Sequence, residues 1–170
     1  MKDIITLAHG AGGKEMNEII KSYNFSDKGS WENTDDDSAT LDLGNGNKLV
    51  FTTDSFIIDP IFFPGGDIGH IAACGTINDL VVMGAKPLGL SLSFVIEEGF
   101  SLIVLAKIVG SIREISNETG TPIVTGDTKV MQKGKLDKIM INTSGIGIVN
   151  KENLLNKKSQ EGDKVIISGG

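Results

Sequence analysis

Hydrophobic spacing divides the chain into strands and helices with polar breaks between them. A short β-branched run, Ile4–Leu7, leads into His9-Gly10-Ala11-Gly12-Gly13, after which Met16, Ile19, Ile20 and Tyr23 recur at helical spacing. The glycines therefore fall at a strand-to-helix turn. Residues 24–38 are polar and predict a loop. Ala39–Leu43 and Lys48–Thr53 predict two strands joined by Gly44-Asn45-Gly46-Asn47, a hairpin signal. Asp59–Gly66 interrupts regular structure with two prolines and displays Phe62 and Phe63. Ile68 to about Met83 predicts a helix that is apolar nearly all round, hence a buried one. Leu88, Leu90, Leu92, Phe94 and Ile96 then alternate with Gly89, Ser91, Ser93, Val95 and Glu97, the clearest strand pattern in the chain. Ser101 is placed to cap a second long helix, to about Thr119, with Leu102, Leu105, Ile108, Val109, Ile112 and Ile115 as its core stripe. Thr121–Thr125 predicts a strand ending in Gly126-Asp127-Thr128-Lys129; Ile139–Val149 predicts another, and Lys164–Ser168 a last one. Strands that cluster in pairs between helices predict an α+β layer rather than a doubly wound parallel sheet.

Composition narrows the function class. A chain of 170 residues fits one ordinary domain, able to bury about 70% of its unfolded surface. Sixteen basic against 22 acidic residues, a net charge of -6, argue against a nucleic-acid or membrane-surface partner, which would need a basic face. One cysteine excludes a disulfide framework and a cysteine-rich metal site. No apolar stretch approaches the roughly 20 residues of a membrane span, and the N-terminal apolar run is too short for a signal peptide. A cytoplasmic location is the expectation. Glycine is in excess, 22 residues beside 4 prolines, which suits close backbone approach better than disorder.

The glycine cluster matches neither a P-loop nor G-x-G-x-x-G, because Ala8 and Glu15 stand where those motifs need other residues. What remains is Gly12-Gly13 opening a helix with Lys14 in its first turn, a generic nest for phosphate or a tight turn needing positive φ. Carboxylates gather at element ends: Asp35-Asp36-Asp37 before one strand, Asp54 closing the next, Asp127 after a third. The aspartate triplet also suits a solvated loop, whereas Asp54 has apolar chain on both sides and calls for a cation or donors. Asp79 lies on a helix face shared with Ala72, Gly75 and Val82, so it needs a salt-bridge partner or a metal, and its helix carries no basic residue. Acidic groups without a His/Cys cluster have the chemistry of a Mg²⁺ site shared with substrate phosphates, whose charge Lys14 and Lys129 could offset. His9 and His70 stand on different elements, Cys74 reads as a small core residue, and Trp31 suits a contact or a local cap.

The same residues resemble the HypE family of hydrogenase maturation proteins. The resemblance rests on Leu7–Gly13, on Thr53–Gly66 with its D-P-x-F-F-P-G-G run, on Cys74–Leu80 with Met83–Pro87, and on Val124–Val130 with G-D-T-K-V. The N-D-x-x-x-x-G-A-x-P pattern alone fits the wider superfamily of aminoimidazole ribonucleotide synthetase (PurM), selenophosphate synthetase and thiamine-monophosphate kinase. The resemblance implies that residues 1–170 are a PurM-like N-terminal ATP-binding domain with a mixed or antiparallel sheet packed with helices. That sheet would pair across a homodimer. ATP and Mg²⁺ are the implied cofactors: Asp37, Asp54, Asp79 and Asp127 would hold the metal, and His9, Gly10, Gly12, Gly13, Lys14, Asn78 and Lys129 would meet the nucleotide. The implied reaction is ATP-dependent dehydration of a protein S-carboxamide to a thiocyanate, the source of cyanide ligands for [NiFe]-hydrogenase. HypF would be the carbamoyl donor and HypC-HypD the cyanide acceptor. The thiol that carries this chemistry is a C-terminal cysteine in a second domain, both expected outside this chain, since Cys74 is mid-helix. Two alternatives stay open: a selenophosphate-synthetase-like ATPase, disfavoured because Met1–Lys14 holds no cysteine, and a non-catalytic module for dimerisation or partner docking.

Overall fold

The computed structural model describes residues 4–23, 27–155 and 159–167. It divides into two compact units, Met1–Ser30 and Trp31–Gly170. In the first, Leu7–Gly10 is a short 3-10 turn rather than the end of the expected strand, and Lys14–Ser22 forms helix α1. A nine-residue helix gains little from its own hydrogen bonds, and none of its residues is buried.

The second unit is a six-stranded mixed sheet with two helices on one face. In chain order its strands are β1 (Trp31–Glu32), β2 (Ala39–Asp42), β3 (Asn47–Phe56), β6 (Lys86–Glu97), β7 (Ile123–Met131) and β8 (Ile139–Asn150). Between β3 and β6 lie a small hairpin, β4 (Phe62–Phe63) with β5 (Gly66–Asp67), and helix α2 (Ile68–Val82); α3 (Leu102–Thr119) links β6 to β7. The sheet order is β1-β2-β3-β8-β6-β7, antiparallel except for the parallel β6–β7 pair, whose crossover connection α3 supplies. The α+β expectation is borne out.

Helix α2 is buried along most of its length because it is apolar on every side: it packs on the sheet through Ala72, Thr76 and Leu80 and joins α3 in one core with Ile108, Ile112, Ile115, Leu90, Ile139 and Ile141. At Gly69 a β-carbon would lie 2.5 Å from the Ile108 carbonyl oxygen, so glycine lets the two helices touch. Asp67 caps α2, its carboxylate accepting from the amides of Gly69 and His70. Ser101 caps α3 and Gly120 ends it in the left-handed conformation, as the sequence pattern predicts.

Several boundaries differ from expectation. Trp31 and Glu32 form a strand within the expected loop, and Trp31 stacks at a tilt on Phe51. Strand β3 runs through Asp54 to Phe56 instead of stopping at Thr53. Strand β7 begins at Ile123 and absorbs Gly126–Lys129, which read as a terminating turn. Leu88 is 44% exposed because the β6–β8 register shifts between Pro87 and Gly89, so it leaves the inward row of Leu90 and Leu92. Leu102 and Val109 lie outside the buried stripe of α3. Residues 164–167 carry no strand, being highly exposed and unpaired, and Ser168 lies outside the described residues.

Candidate functional site

The period of two along β3 turns Val50, Thr52, Asp54 and Phe56 toward the helices. Above them on α2, Gly75 and Asp79 are one turn apart. Gly75 makes room: a β-carbon there would sit 2.9 Å from the Phe56 ring and 3.8 Å from Asp54 Oδ2. Asp79, half-buried, meets Asp54 across this gap, close enough for each carboxyl to influence the other's titration.

Burial pushes both carboxyl groups up from the ordinary aspartate range, and the negative charge of Asp37 pushes them further. For Asp79 the Asp54 charge adds to the rise, while a hydrogen bond from Thr52 opposes it. Asp37 sits in the bend before β2, its side chain exposed. No basic side chain pairs with Asp79 among the described residues, so the salt-bridge alternative has no partner there. Neither do three His, Cys, Asp or Glu side chains close around a common point among them. The arrangement is a like-charged pair with a third carboxylate in electrostatic reach, all hard oxygen donors. That set suits Mg²⁺, which takes one or two carboxylates and completes its shell with water and phosphate oxygens.

The remaining candidates fall elsewhere. Asp127 pairs with Ser93, Ser93 with Asn142, and Asn142 with Ser55, so these four side chains share one face of the sheet. Asp54 is on the opposite, helix-covered face, beside Thr143, whose hydroxyl reaches Thr76 and the Ala72 carbonyl of α2. Asp127 thus faces away from Asp54 and stands three strands across, roughly 14 Å at ordinary strand spacing. Lys129, two residues on, shares its face. Asn78 is exposed beside Asp79. Cys74 is half-buried against the core, its thiol pushed up by burial and by the Glu118 charge.

His9, Gly10, Gly12, Gly13 and Lys14 belong to the other unit. Gly12 has φ +75, and Gly13 is the N-cap of α1 without any capping side chain, so both the turn and an anion-ready helix start are present. His9 Nδ1 accepts from the Thr6 amide at 3.0 Å, which puts the ring proton on Nε2 in the neutral form. Lys14 lies 3.8 Å from Glu18 on the exposed helix surface.

Two buried hydroxyls at the site escape the sequence pattern. Ser38 is 2% and Thr52 6% exposed. The Ser38 hydroxyl donates to the Asp79 carbonyl at 2.9 Å, and the Thr52 hydroxyl lies 2.9 Å from the Asp37 carbonyl and 3.0 Å from Asp79 Oδ2. Only the two-residue alternation through Asp54 could have marked Thr52.

A mixed sheet backed by two helices, with carboxylates facing one another between a strand and a buried helix, defines the α+β class of domain. The chain belongs to the family described as AIR synthase related protein, N-terminal domain, which matches residues 35–149. It is 50% identical to a putative hydrogenase expression/formation protein of Methanocaldococcus jannaschii, over 97% of this chain and 51% of the relative. It is 44% identical to the carbamoyl dehydratase HypE of Rhizobium leguminosarum bv. viciae, over 97% of this chain and 47% of the relative. Among solved structures it is similar to HypE in a HypE–HypF complex (TM-score 0.72, 46% identity, 83% of this chain and 44% of that one). It is also similar to HypE in complex with ATP (TM-score 0.59, 43% identity, 85% and 43%). The HypE resemblance carried by the motifs is borne out. The chain spans about half the length of the curated relatives it matches. No helix among the described residues is long and apolar enough to cross a membrane.

Proposed function

We propose that residues 1–170 form the ATP- and Mg²⁺-binding domain of a HypE-type carbamoyl dehydratase. The observation that carries this is the Asp54–Asp79 pair, with Asp37 in reach, held under a buried helix without a cationic partner among the described residues. The likeness to HypE in complex with ATP supports the nucleotide. Mg²⁺ bound there would neutralise phosphate charge, and Asp37, Asp54 and Asp79 would hold it. The uncapped start of α1, with Gly10, Gly12, Gly13, Lys14 and His9, and the exposed Asn78 would meet the nucleotide.

The activity is dehydration of a protein S-carboxamide to a thiocyanate, with the reacting cysteine on a second domain. HypF is the proposed carbamoyl donor, supported by the HypE–HypF complex, and HypC-HypD the proposed cyanide acceptor, in the cytoplasm. We further propose a homodimer closed over the helix-free face of the sheet. That face carries Phe51 and Ile146, 39% and 38% exposed, beside the hydroxyl-rich patch of Thr53, Ser55, Asn142 and Ser144. The resemblance to HypE makes Asp127 a further proposed metal ligand and Lys129 a phosphate contact; both lie on this helix-free face of the sheet.

Titration calorimetry of this chain with ATP, with and without Mg²⁺, tests the reading. Binding that strengthens with Mg²⁺ is expected, as is loss of that dependence in Asp79→Asn. No heat at millimolar nucleotide would overturn it.

A further inference from the structure

The loop that carries Asp37 has no helix or long strand to fix it, yet its carboxylate must stand beside two others whose positions β3 and α2 set. We propose that Ser38 and Thr52 form a hydroxyl clamp that positions this loop against α2 before any ligand arrives; as a positioning device for the metal, it rests on the reading above.

The geometry is a closed circuit of three elements. Thr52 projects from β3 and reaches both the Asp37 carbonyl, 2.9 Å away, and Asp79 Oδ2, 3.0 Å away. Ser38, the next residue of the loop, returns from the other side and donates to the Asp79 carbonyl at 2.9 Å. Both hydroxyls are withdrawn from solvent, so water does not compete for them. Buried hydroxyls facing away from any partner would be costly, and no buried side-chain polar atom lacks a partner among the described residues.

One hydroxyl has one proton, so Thr52 serves one acceptor at a time. With the proton on the Asp37 carbonyl, the loop is tied to β3. With the proton on Asp79 Oδ2, that carboxylate is aimed while Oδ1 is left for another partner. Ser38 keeps the loop attached to α2 in either state. The clamp thus fixes where Asp37 and Asp79 stand relative to each other. Thr52 and Ser38 act through the carboxylates, as outer-shell groups do at metal sites, where their loss commonly lowers metal affinity about 10–100-fold.

Two measurements test this on the 170-residue chain. The first is Mg²⁺ dependence of ATP binding by calorimetry. Thr52→Val should raise the Mg²⁺ concentration for half-maximal enhancement about tenfold or more, with affinity for ATP in the absence of metal unchanged; Thr52→Ser, which restores the hydroxyl, should return within about threefold of the parent. The second needs no ligand: the ¹H–¹⁵N heteronuclear NOE of the Asp36, Asp37 and Ser38 amides should fall in Thr52→Val and hold in Thr52→Ser. If Thr52→Val does not fold, Ser38→Ala carries the same test and should show the same fall in NOE. Parent-like NOE values in the folded variants overturn the clamp. A fall in NOE while the parent chain itself shows no Mg²⁺-dependent ATP binding upholds the clamp and overturns the nucleotide reading instead.

Discussion

Asp54 and Asp79 are held next to each other where neither is comfortable as an anion, and this has a measurable cost. A carboxyl group whose value is raised on folding binds protons more tightly in the folded chain, so its ionisation weakens the fold as pH rises from the ordinary aspartate range through the raised folded value. At neutral pH both groups press against each other without a metal. Asp79→Asn should therefore stabilise the ion-free chain at pH 7, by several tenths to about 1 kcal/mol, or roughly 1–4 °C in Tm. The gain should fade below about pH 4, where Asp79 is protonated in both states. Mg²⁺ should raise the Tm of the parent more than that of the variant; thermal melts at two pH values with and without the ion check all three expectations. The acidic residues were visible in the sequence because unpaired carboxylates amid apolar chain are rare. Ser38 and Thr52 were not, because their role depends on contacts with Asp79 across 41 and 27 residues. A serine in a polar loop and a threonine in a strand are also ordinary where they stand.

Elements with local punctuation were readable from the chain alone. Helix α3 has its start at Ser101, its end at Gly120 and a 3.6-residue core stripe between, and each agrees with the others. Strand β7 lacked such agreement. Gly126-Asp127-Thr128-Lys129 has the composition of a turn, and only parallel pairing with β6, far along the chain, makes it a strand. The glycine is there for contact: in register with Leu92, a β-carbon at Gly126 would lie 2.3 Å from the Leu92 carbonyl oxygen. Gly126→Ala should cost about 1–3 kcal/mol. Gly110, inside α3 with open space around it and ordinary backbone angles, should give the opposite sign: Gly110→Ala should gain about 0.5–1 kcal/mol. Urea melts of the two variants separate a glycine needed for close approach from one that merely loosens a helix.

For the molecule as a whole, the face-by-face placement of the candidates makes the proposed dimer testable. Asp79 serves its own chain's carboxylate cluster, and Asp127 lies on the far face. In an equimolar mixture of Asp79→Asn and Asp127→Asn chains, after subunit exchange, recovery of roughly a quarter of the Mg²⁺-dependent ATP sites would put Asp127 in a site of the second copy, because mixed dimers would then hold one intact site of two. Each variant alone should show none. Zero recovery in the mixture would put Asp127 in its own chain's site, and binding by the Asp127→Asn chain alone would put it in none. The α+β class followed from how strands and helices alternate in the sequence, but which face each aspartate occupies depended on register, and register is set by pairings that single-chain periodicity does not contain.

The sheet order has a further consequence, one of timing. The strand that carries Thr52 and Asp54 pairs on one side with its hairpin neighbour and on the other with β8, and the bond from Thr53 to Thr143 spans 90 residues. During synthesis, at about 5–20 residues per second, the inner edge of β3 is without its partner for several seconds after it is made. Asp54 and Asp79 are both translated long before the strand that locks β3 into the sheet. Completion of the acidic site therefore waits for β8, long after its own carboxylates have been made.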